Sequence, residues 1–291
     1  MESLELLKAY PSFFAFIVTL VGLLVGSFLN VVIYRLPVMM QRNWQQECKD
    51  YLGLADEHRT DAEPFNLVFP LSRCPSCSAA IKPYQNIPVV SYIFLQGKCA
   101  NCAHPIALRY PLIEAFTALT SFMVAWHFGY SLQTLFALLL TWSLIALSFI
   151  DIDHQLLPDT ITLPVLWIGL LLSIFGLFTQ SHDSIIGAIA GYLLLWTVYK
   201  VFKCLTGKEG MGYGDFKLLA LFGAWLGWQS LPLIIFLSSL VGSIIGISLI
   251  LFSRHDRNKP IPFGPYLAAA GWIALLWGNT INQFYFNLMG L

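Results

Sequence analysis

The sequence predicts an all-α polytopic membrane protein of about eight transmembrane helices carrying one small zinc-ribbon-like insert. Three observations predict it. Hydrophobic residues make up 57% of the 291-residue chain and charged ones only 11%, and the mean hydropathy is +0.69, which excludes a single ordinary water-soluble core. Apolar runs long enough to cross a bilayer, roughly 20 residues with few charges, recur near residues 13–36, 111–129, 132–151, 160–179, 184–203, 215–228, 231–252 and 262–286. Two CxxC pairs fall together in the one stretch that breaks this pattern, residues 37–110.

Residues 1–36 form the N-terminal segment and first span. Its flank carries Glu2 and Glu5 against Lys8, and its apolar run is too long for the h-region of a cleaved signal peptide, so the span is expected to stay attached. Asn30 and Ser27 within it are expected to hydrogen-bond between helices.

The insert, 37–110, holds turn formers such as Pro70, Pro75, Pro83 and Pro88 and a short internal repeat. Arg73-Cys74-Pro-Ser-Cys77-Ser-Ala-Ala-Ile81 matches Lys98-Cys99-Ala-Asn-Cys102-Ala-His-Pro-Ile106 as basic-CxxC-xxx-Ile. A CxxC turn places two thiolates on one side of a metal, and two such turns complete the tetrahedral shell that zinc prefers. The 21 residues between Cys77 and Cys99 suit a zinc ribbon. Two disulfides are the alternative, disfavoured in a reducing compartment. A shell closed by Cys74, Cys77, Cys99 and Cys102 leaves no position for substrate or water, so the zinc is structural. Cys48 and Cys204 lack partners at ligand spacing and are expected to be free thiols.

Residues 111–291 hold the remaining seven spans. If successive spans alternate in direction, Lys8 stands alone on one side and the other Lys and Arg residues, out of 16 in total, fall on the other. Setting aside the long insert, Lys200, Lys203, Lys208, Lys217, Arg254, Arg257 and Lys259 still share one face, which makes that face cytoplasmic and puts the N-terminus outside. The insert then faces the cytoplasm. The net charge of zero offers no basis for a nucleic-acid partner; lipid is the expected surrounding.

The third span ends in SFIDIDHQLLPD, and the sixth, a notably short one, opens in GMGYGDFK. With alternating spans, Asp151 and Asp215 come to the same depth at the cytoplasmic face. Ionisable groups at the edge of hydrocarbon are costly and are usually turned toward a polar interior or pathway. Two facing carboxylates do not easily both ionise, and such a pair can activate water with one member and protonate an amide with the other, which is aspartyl-protease chemistry. Gly212 and Gly214 are expected either to take positive φ and clear room for a substrate strand or to form a plain turn with Asp215 as helix N-cap.

At this point the chain resembles the prepilin peptidase family, polytopic GxGD-type aspartyl proteases of bacterial type IV pilus and type II secretion systems. The resemblance runs through GSFLNVVIYRLP at 26–37, CPSC and CANC in the insert, RYPLIE at 109–114, FIDIDHQLLPD at 149–159 and GYGD at 212–215. It implies that Asp151 and Asp215 are the catalytic acids. It implies prepilin and pseudopilin substrates, cut after a Gly on the cytoplasmic side of the inner membrane. It also implies, because this chain has the tetracysteine loop, N-methylation of the new amino terminus with S-adenosylmethionine. No glycine fingerprint opens a βαβ unit, so a Rossmann-like donor pocket is not supported; Gly97 and the GSFLN segment are the candidates for the donor site.

Among the other polar residues, Asp153 is expected to be solvated or supporting, since it points to a different side of the helix from Asp151. Asp159 is expected to be the N-cap of the fourth span, and Lys217 to snorkel. Glu114 is expected either to steer a basic leader or pair with Arg109 or Lys217, or else to be a plain interfacial acid. His104 and His154 are not needed as metal ligands, and the Trp residues suit interfacial anchoring. A cation-coupled transporter would want acids near the midplane and repeated spans, and an assembly scaffold would leave the paired acids unexplained.

Overall fold

The computed structural model of the chain describes residues 7–54, 65–208, 210–252 and 261–289. Arg254, Arg257 and Lys259 of the charge pattern lie outside the described residues. The helices are α1 (Pro11–Tyr51), α2 (Val90–Phe94), α3 (Arg109–Phe128), α4 (Leu132–His154), α5 (Asp159–Ile174), α6 (Ser181–Thr206), α7 (Tyr213–Leu226), α8 (Leu231–Phe252) and α9 (Gly264–Met289). Every apolar run read from the sequence coincides with one of them. Among the described residues there is no β-strand; extended pairing is limited to the isolated bridges Arg73↔Ala80 and Lys98↔Pro105. By length and composition, α1, α4, α6 and a stretch Trp228–Leu249 are each long and apolar enough to cross a membrane. Many large apolar side chains, Leu24, Trp126, Trp167, Ile189 and Phe236 among them, are exposed, an outer surface suited to lipid and not to water.

The first helix runs beyond the apolar segment and through Pro37 to Tyr51. A proline inside a helix removes one backbone hydrogen bond. Here it is buried, and the neighbouring Arg35, also buried, ties this turn to the insert by donating to the carbonyls of Asn66 (2.9 Å) and Pro70 (2.5 Å). The polar continuation, residues 41–50, is exposed throughout.

The chain divides into two compact units, Met1–Leu138 and Leu139–Leu291. In the first, α1 buries Ala15, Val18, Gly22, Gly26, Leu29 and Ile33, the three-and-four spacing of one helix face. Gly22 and Gly26 form a small-xxx-small stripe against α3: a Cβ at Gly22 would stand 2.6 Å from Ser121 Oγ, and one at Gly26 would stand 2.7 Å from Glu114 Cα. Backbones approach this closely only where side chains are absent. On α3 the buried Thr117 and Ser121 hydroxyls are satisfied by donating to the carbonyls of Ile113 and Thr117 (both 2.7 Å), as a polar group among apolar neighbours must be.

In the second unit α7 is the central element, buried from Asp215 to Trp225 except for Lys217. A helix apolar all round belongs in a core. Its 14 residues reach about 21 Å at 1.5 Å per residue, short of the roughly 30 Å of a hydrocarbon layer, so α7 is walled by its neighbours and does not line the lipid face. Its packing is backbone against backbone. Cβ atoms at Gly187 of α6 and Gly223 of α7 would each run into the other's carbonyl, and one at Gly191 would stand 2.7 Å from the Leu219 carbonyl. Ser184 Oγ donates to the Ala224 carbonyl at 2.5 Å. On α5, Gly169 makes room for the Trp225 ring, whose Nε1 donates to the Val165 carbonyl at 2.8 Å. On α9, Gly271 makes room for Phe222.

Candidate active site and metal centre

Asp151 lies in the last turn of α4, where Gln155, with φ of 54°, closes the helix by donating its N–H to the Asp151 carbonyl at 2.8 Å. Asp215 is the third residue of α7, one turn after the N-cap Gly212, whose carbonyl accepts the Asp215 N–H at 3.3 Å. Both acids are buried, 6% and 8% exposed. Their carboxyl groups are close enough for the two charges to act on each other. The second unit therefore brings the two sequence-predicted acids into one site, from a helix C-terminus and a helix N-terminus separated by more than sixty positions.

Two elements absent from the sequence reading complete the site. The buried N–H of Gly264, the first residue of α9, donates to Asp151 Oδ2 at 3.0 Å. The Leu157 side chain, in the turn between α4 and α5, lies against both Gly214 and Gly264: a Cβ at Gly214 would stand 2.7 Å from Leu157 Cβ, and one at Gly264 would stand 3.2 Å from Leu157 Cδ2. The sequence signal for Gly264 is its setting, Pro262-Phe263-Gly264-Pro265 at a helix start.

The expectation for the glycines of GYGD needs correcting. Gly212 has φ of −82° and ψ of 153°, an extended conformation open to any residue, and Gly214 is not among the positive-φ residues. Among the described residues a Cβ at Gly212 would find nothing closer than 4.0 Å, whereas one at Gly214 would enter Leu157. Gly214 thus makes room for a core leucine.

Asp153 is exposed, as expected. Asp159 does not cap its helix. Pro158 is the N-cap of α5 and no side chain caps it, while the Asp159 carboxylate accepts from Lys217 Nζ at 2.7 Å on both oxygens. Lys217 is accordingly an ion-pair partner and not a snorkelling cation. Such a half-exposed pair contributes at most about 1 kcal/mol, so the backbone packing of α6 on α7, not this bridge, places Asp215.

Glu114 is buried in the first unit, 8% exposed. Its Oε2 accepts the Val89 N–H at 2.7 Å, and the Ser27 hydroxyl is a further partner. Val89 has φ of 59° and is the N-cap of α2. Glu114 is therefore a structural tie between α1, α3 and the insert. Asn30 meets its expectation by donating to the Tyr110 carbonyl at 3.2 Å.

In the insert the repeat in sequence is a repeat in conformation. Cys74 donates its N–H to the Ala79 carbonyl and its carbonyl accepts from Ser78; Cys99 does the same with His104 and Ala103, all at 2.9 Å. Ser78 and Ala103 share φ of 55°. The two turns bring the Sγ atoms of Cys74, Cys77, Cys99 and Cys102 within 4.8 Å of one another. Cys74 and Cys102 are 3.8 Å apart, the edge of a ZnS4 tetrahedron with Zn–S bonds of about 2.3 Å being about 3.8 Å. The donor set fits zinc in number, kind and spacing. Asn101, unnoticed in the sequence, donates its amide to Cys77 Sγ at 3.6 Å and its backbone N–H to Cys99 Sγ at 3.5 Å. The Asn101 amide, with help from the Ala79 backbone, pulls the Cys77 thiol down to about 6; backbone N–H groups of Cys102 and Asn101 lower that of Cys99. Cys102 feels the downward pull of the His104 backbone, outweighed by desolvation and its three sulfur neighbours, and is pushed up to about 11. Crowded sulfurs that favour thiolate at some positions and retain a proton at another are a site that a cation completes. Cys48 and Cys204 are exposed free thiols.

Gly97 has φ of 68° and donates its N–H to the Tyr92 carbonyl at 2.9 Å, and a Cβ there would stand 2.8 Å from Tyr92 Oη. The turn into the second CxxC and the Tyr92 ring account for its being glycine.

Two family models match the chain: the bacterial peptidase A24 N-terminal domain over residues 20–128, and the type IV leader peptidase family over residues 138–247. A prepilin leader peptidase/N-methyltransferase of Pseudomonas aeruginosa is 55% identical over 290 residues, 100% of this chain and 99% of the relative. One of Aeromonas hydrophila is 55% identical over 282 residues, 97% of each chain. One of Legionella pneumophila is 45% identical over 276 residues, 95% of this chain and 96% of the relative. No solved structure matches the chain. Identity at this level over the full length, on a chain whose buried acid pair and four-cysteine cluster fall within the matched segments, places this protein in the type IV leader peptidase family.

Proposed function

We propose that this chain is a membrane-embedded aspartyl endopeptidase that removes the leader of type IV prepilins and pseudopilins after Gly, and that it then N-methylates the new amino terminus. Asp151 and Asp215 are the catalytic pair. The observation that carries this reading is their burial side by side, from the end of α4 and the start of α7.

In this chemistry the pair shares one proton. The ionised carboxylate takes a proton from water, whose oxygen attacks the carbonyl carbon of the scissile peptide, while the protonated partner donates to the carbonyl oxygen. The tetrahedral intermediate collapses with transfer of a proton to the leaving nitrogen and cleavage of the C–N bond. The products are a leader ending in a carboxylate and a mature chain with a free amine, and the pair returns to its one-proton state. S-adenosylmethionine, the methyl donor implied by the relatives' names, supplies an electrophilic methyl for that amine. Cys74, Cys77, Cys99 and Cys102 would hold the zinc, which would join the two turns of the insert.

The placement in the bacterial inner membrane, with the N-terminus outside and the acids and insert at the cytoplasmic face, is supported by the one-sided basic residues Lys200, Lys203, Lys208 and Lys217. There the pair would meet a basic leader in the cytosol while the substrate's apolar segment lies in lipid. The test is to incubate the purified protein in detergent with a prepilin and S-adenosylmethionine and weigh the products. A leader ending in Gly and a mature chain heavier by one methyl are expected; an uncut precursor would overturn the peptidase reading, and a cut but unmethylated product would overturn the methyltransferase reading.

A further inference from the structure

The start of α9 is stiffened by proline on both sides. Pro262 and Pro265 each fix their own φ, Pro265 within the first turn of the helix, where its missing N–H costs no helical hydrogen bond. The first N–H groups of a helix have no partner within it. At Gly264 that orphan donor is buried and is given to Asp151 Oδ2 at 3.0 Å. Gly264 does not have positive φ, so no backbone conformation demands glycine there. Space does: a Cβ would stand 2.6 Å from Asp151 Oδ2, 3.2 Å from Asp151 Cγ and 3.2 Å from Leu157 Cδ2. A carboxylate oxygen and a packed leucine close off the same point.

We infer that Gly264 is a positioning residue for peptide cleavage, its main-chain N–H holding one oxygen of Asp151 and its missing side chain leaving that carboxylate its place beside Asp215. The inference rests on the proposed catalytic role of Asp151. With Oδ2 engaged by a fixed donor, Oδ1 is the oxygen left for water and for proton exchange, and the carboxyl plane is set before substrate arrives. Such pre-set geometry lowers the reorganisation that a reaction would otherwise require.

The experiment measures kcat, KM and the pH–rate profile of prepilin cleavage for four proteins in detergent. Gly264→Ala is expected to lose about 100-fold in kcat with KM little changed, the scale on which a misplaced catalytic group acts. Replacing the Phe263–Gly264 amide by an ester removes the N–H and adds no bulk, so it decides the matter even if Gly264→Ala fails to fold; kcat is expected to fall about tenfold, with a displaced pH–rate profile. Gly278→Ala, on the same helix, where among the described residues a Cβ would meet only Ala274 Cβ at 3.9 Å, is expected to keep wild-type kinetics. Asp151→Ala separates the two ideas. If it still cleaves, the assignment of Asp151 is wrong; if it is dead while the ester enzyme keeps the wild-type kcat or an unmoved pH profile, only the role of Gly264 is overturned.

Discussion

The four-cysteine centre and the acid pair both require side chains to meet within a few ångströms, and they reach that state by different means. Each half of the cysteine centre is a turn closed by its own backbone hydrogen bonds, Cys74 with Ala79 and Ser78, Cys99 with His104 and Ala103. Those bonds all lie within the insert. The acid pair has no such local frame. Asp215 stands where it does because α7 is pressed against α5, α6 and α9 through Gly169, Gly187, Gly191, Gly223 and Gly271. The cysteine centre is thus a locally built structure, and the acid pair is a by-product of helix packing.

That contrast can be broken from either side. The largest effect is expected from Cys74→Ser, which removes one of four ligands. Elemental analysis should fall from about one zinc per chain to none, following the four-thiolate rule, while the far-ultraviolet circular dichroism of the helices stays near wild type. A general loss of helicity would mean that the helices lean on the metal. The converse comes from Gly223→Val, whose side chain would run into the Gly187 backbone. A loss of about 3 kcal/mol is expected from overpacking at a site that cannot relax, read by chemical unfolding in detergent, with cleavage lost and zinc still bound. Retained cleavage would show that Asp215 is placed by something other than the α6–α7 contact. The smallest effect is expected from Asn101→Ala. Zinc affinity should weaken about tenfold, the lower end for a group that orients a ligand, with cleavage by the acid pair unchanged; competition with a coloured chelator measures it, and an unaltered affinity would remove Asn101 from the centre.

The same contrast decides what could be read from the sequence. The cysteine cluster was legible because its information is local: CxxC twice, with matching neighbours. The helices were legible because apolar runs of membrane length have few alternatives. The acid pair became legible through topology, since alternation of spans puts Asp151 and Asp215 at one depth, and through the family resemblance, which singles out Asp151 among its neighbours; neither says that their carboxyl groups meet. What failed was whatever depends on a specific tertiary neighbour. Asp159 looks like an N-cap until Lys217 is found within reach; Gly214 looks like a positive-φ or turn glycine until Leu157 is found in the space beside it. Gly264 is marked in the sequence only by its flanking prolines, because a backbone N–H is the same at every residue and its value lies in what it faces. Asn101 escaped for a similar reason, an amide inside CANC being unremarked until the neighbouring sulfur of Cys77 is in view.

The central claim is that Asp151 and Asp215 act as one unit. It is tested most directly by the cleavage rates of Asp151→Asn, Asp215→Asn and the double variant, each shown to be folded and to carry zinc. Each single substitution is expected to lower kcat by about four orders of magnitude, and the double by no more than either alone, as for residues that work together. Wild-type turnover in either single variant, or losses that multiply in the double, would contradict it.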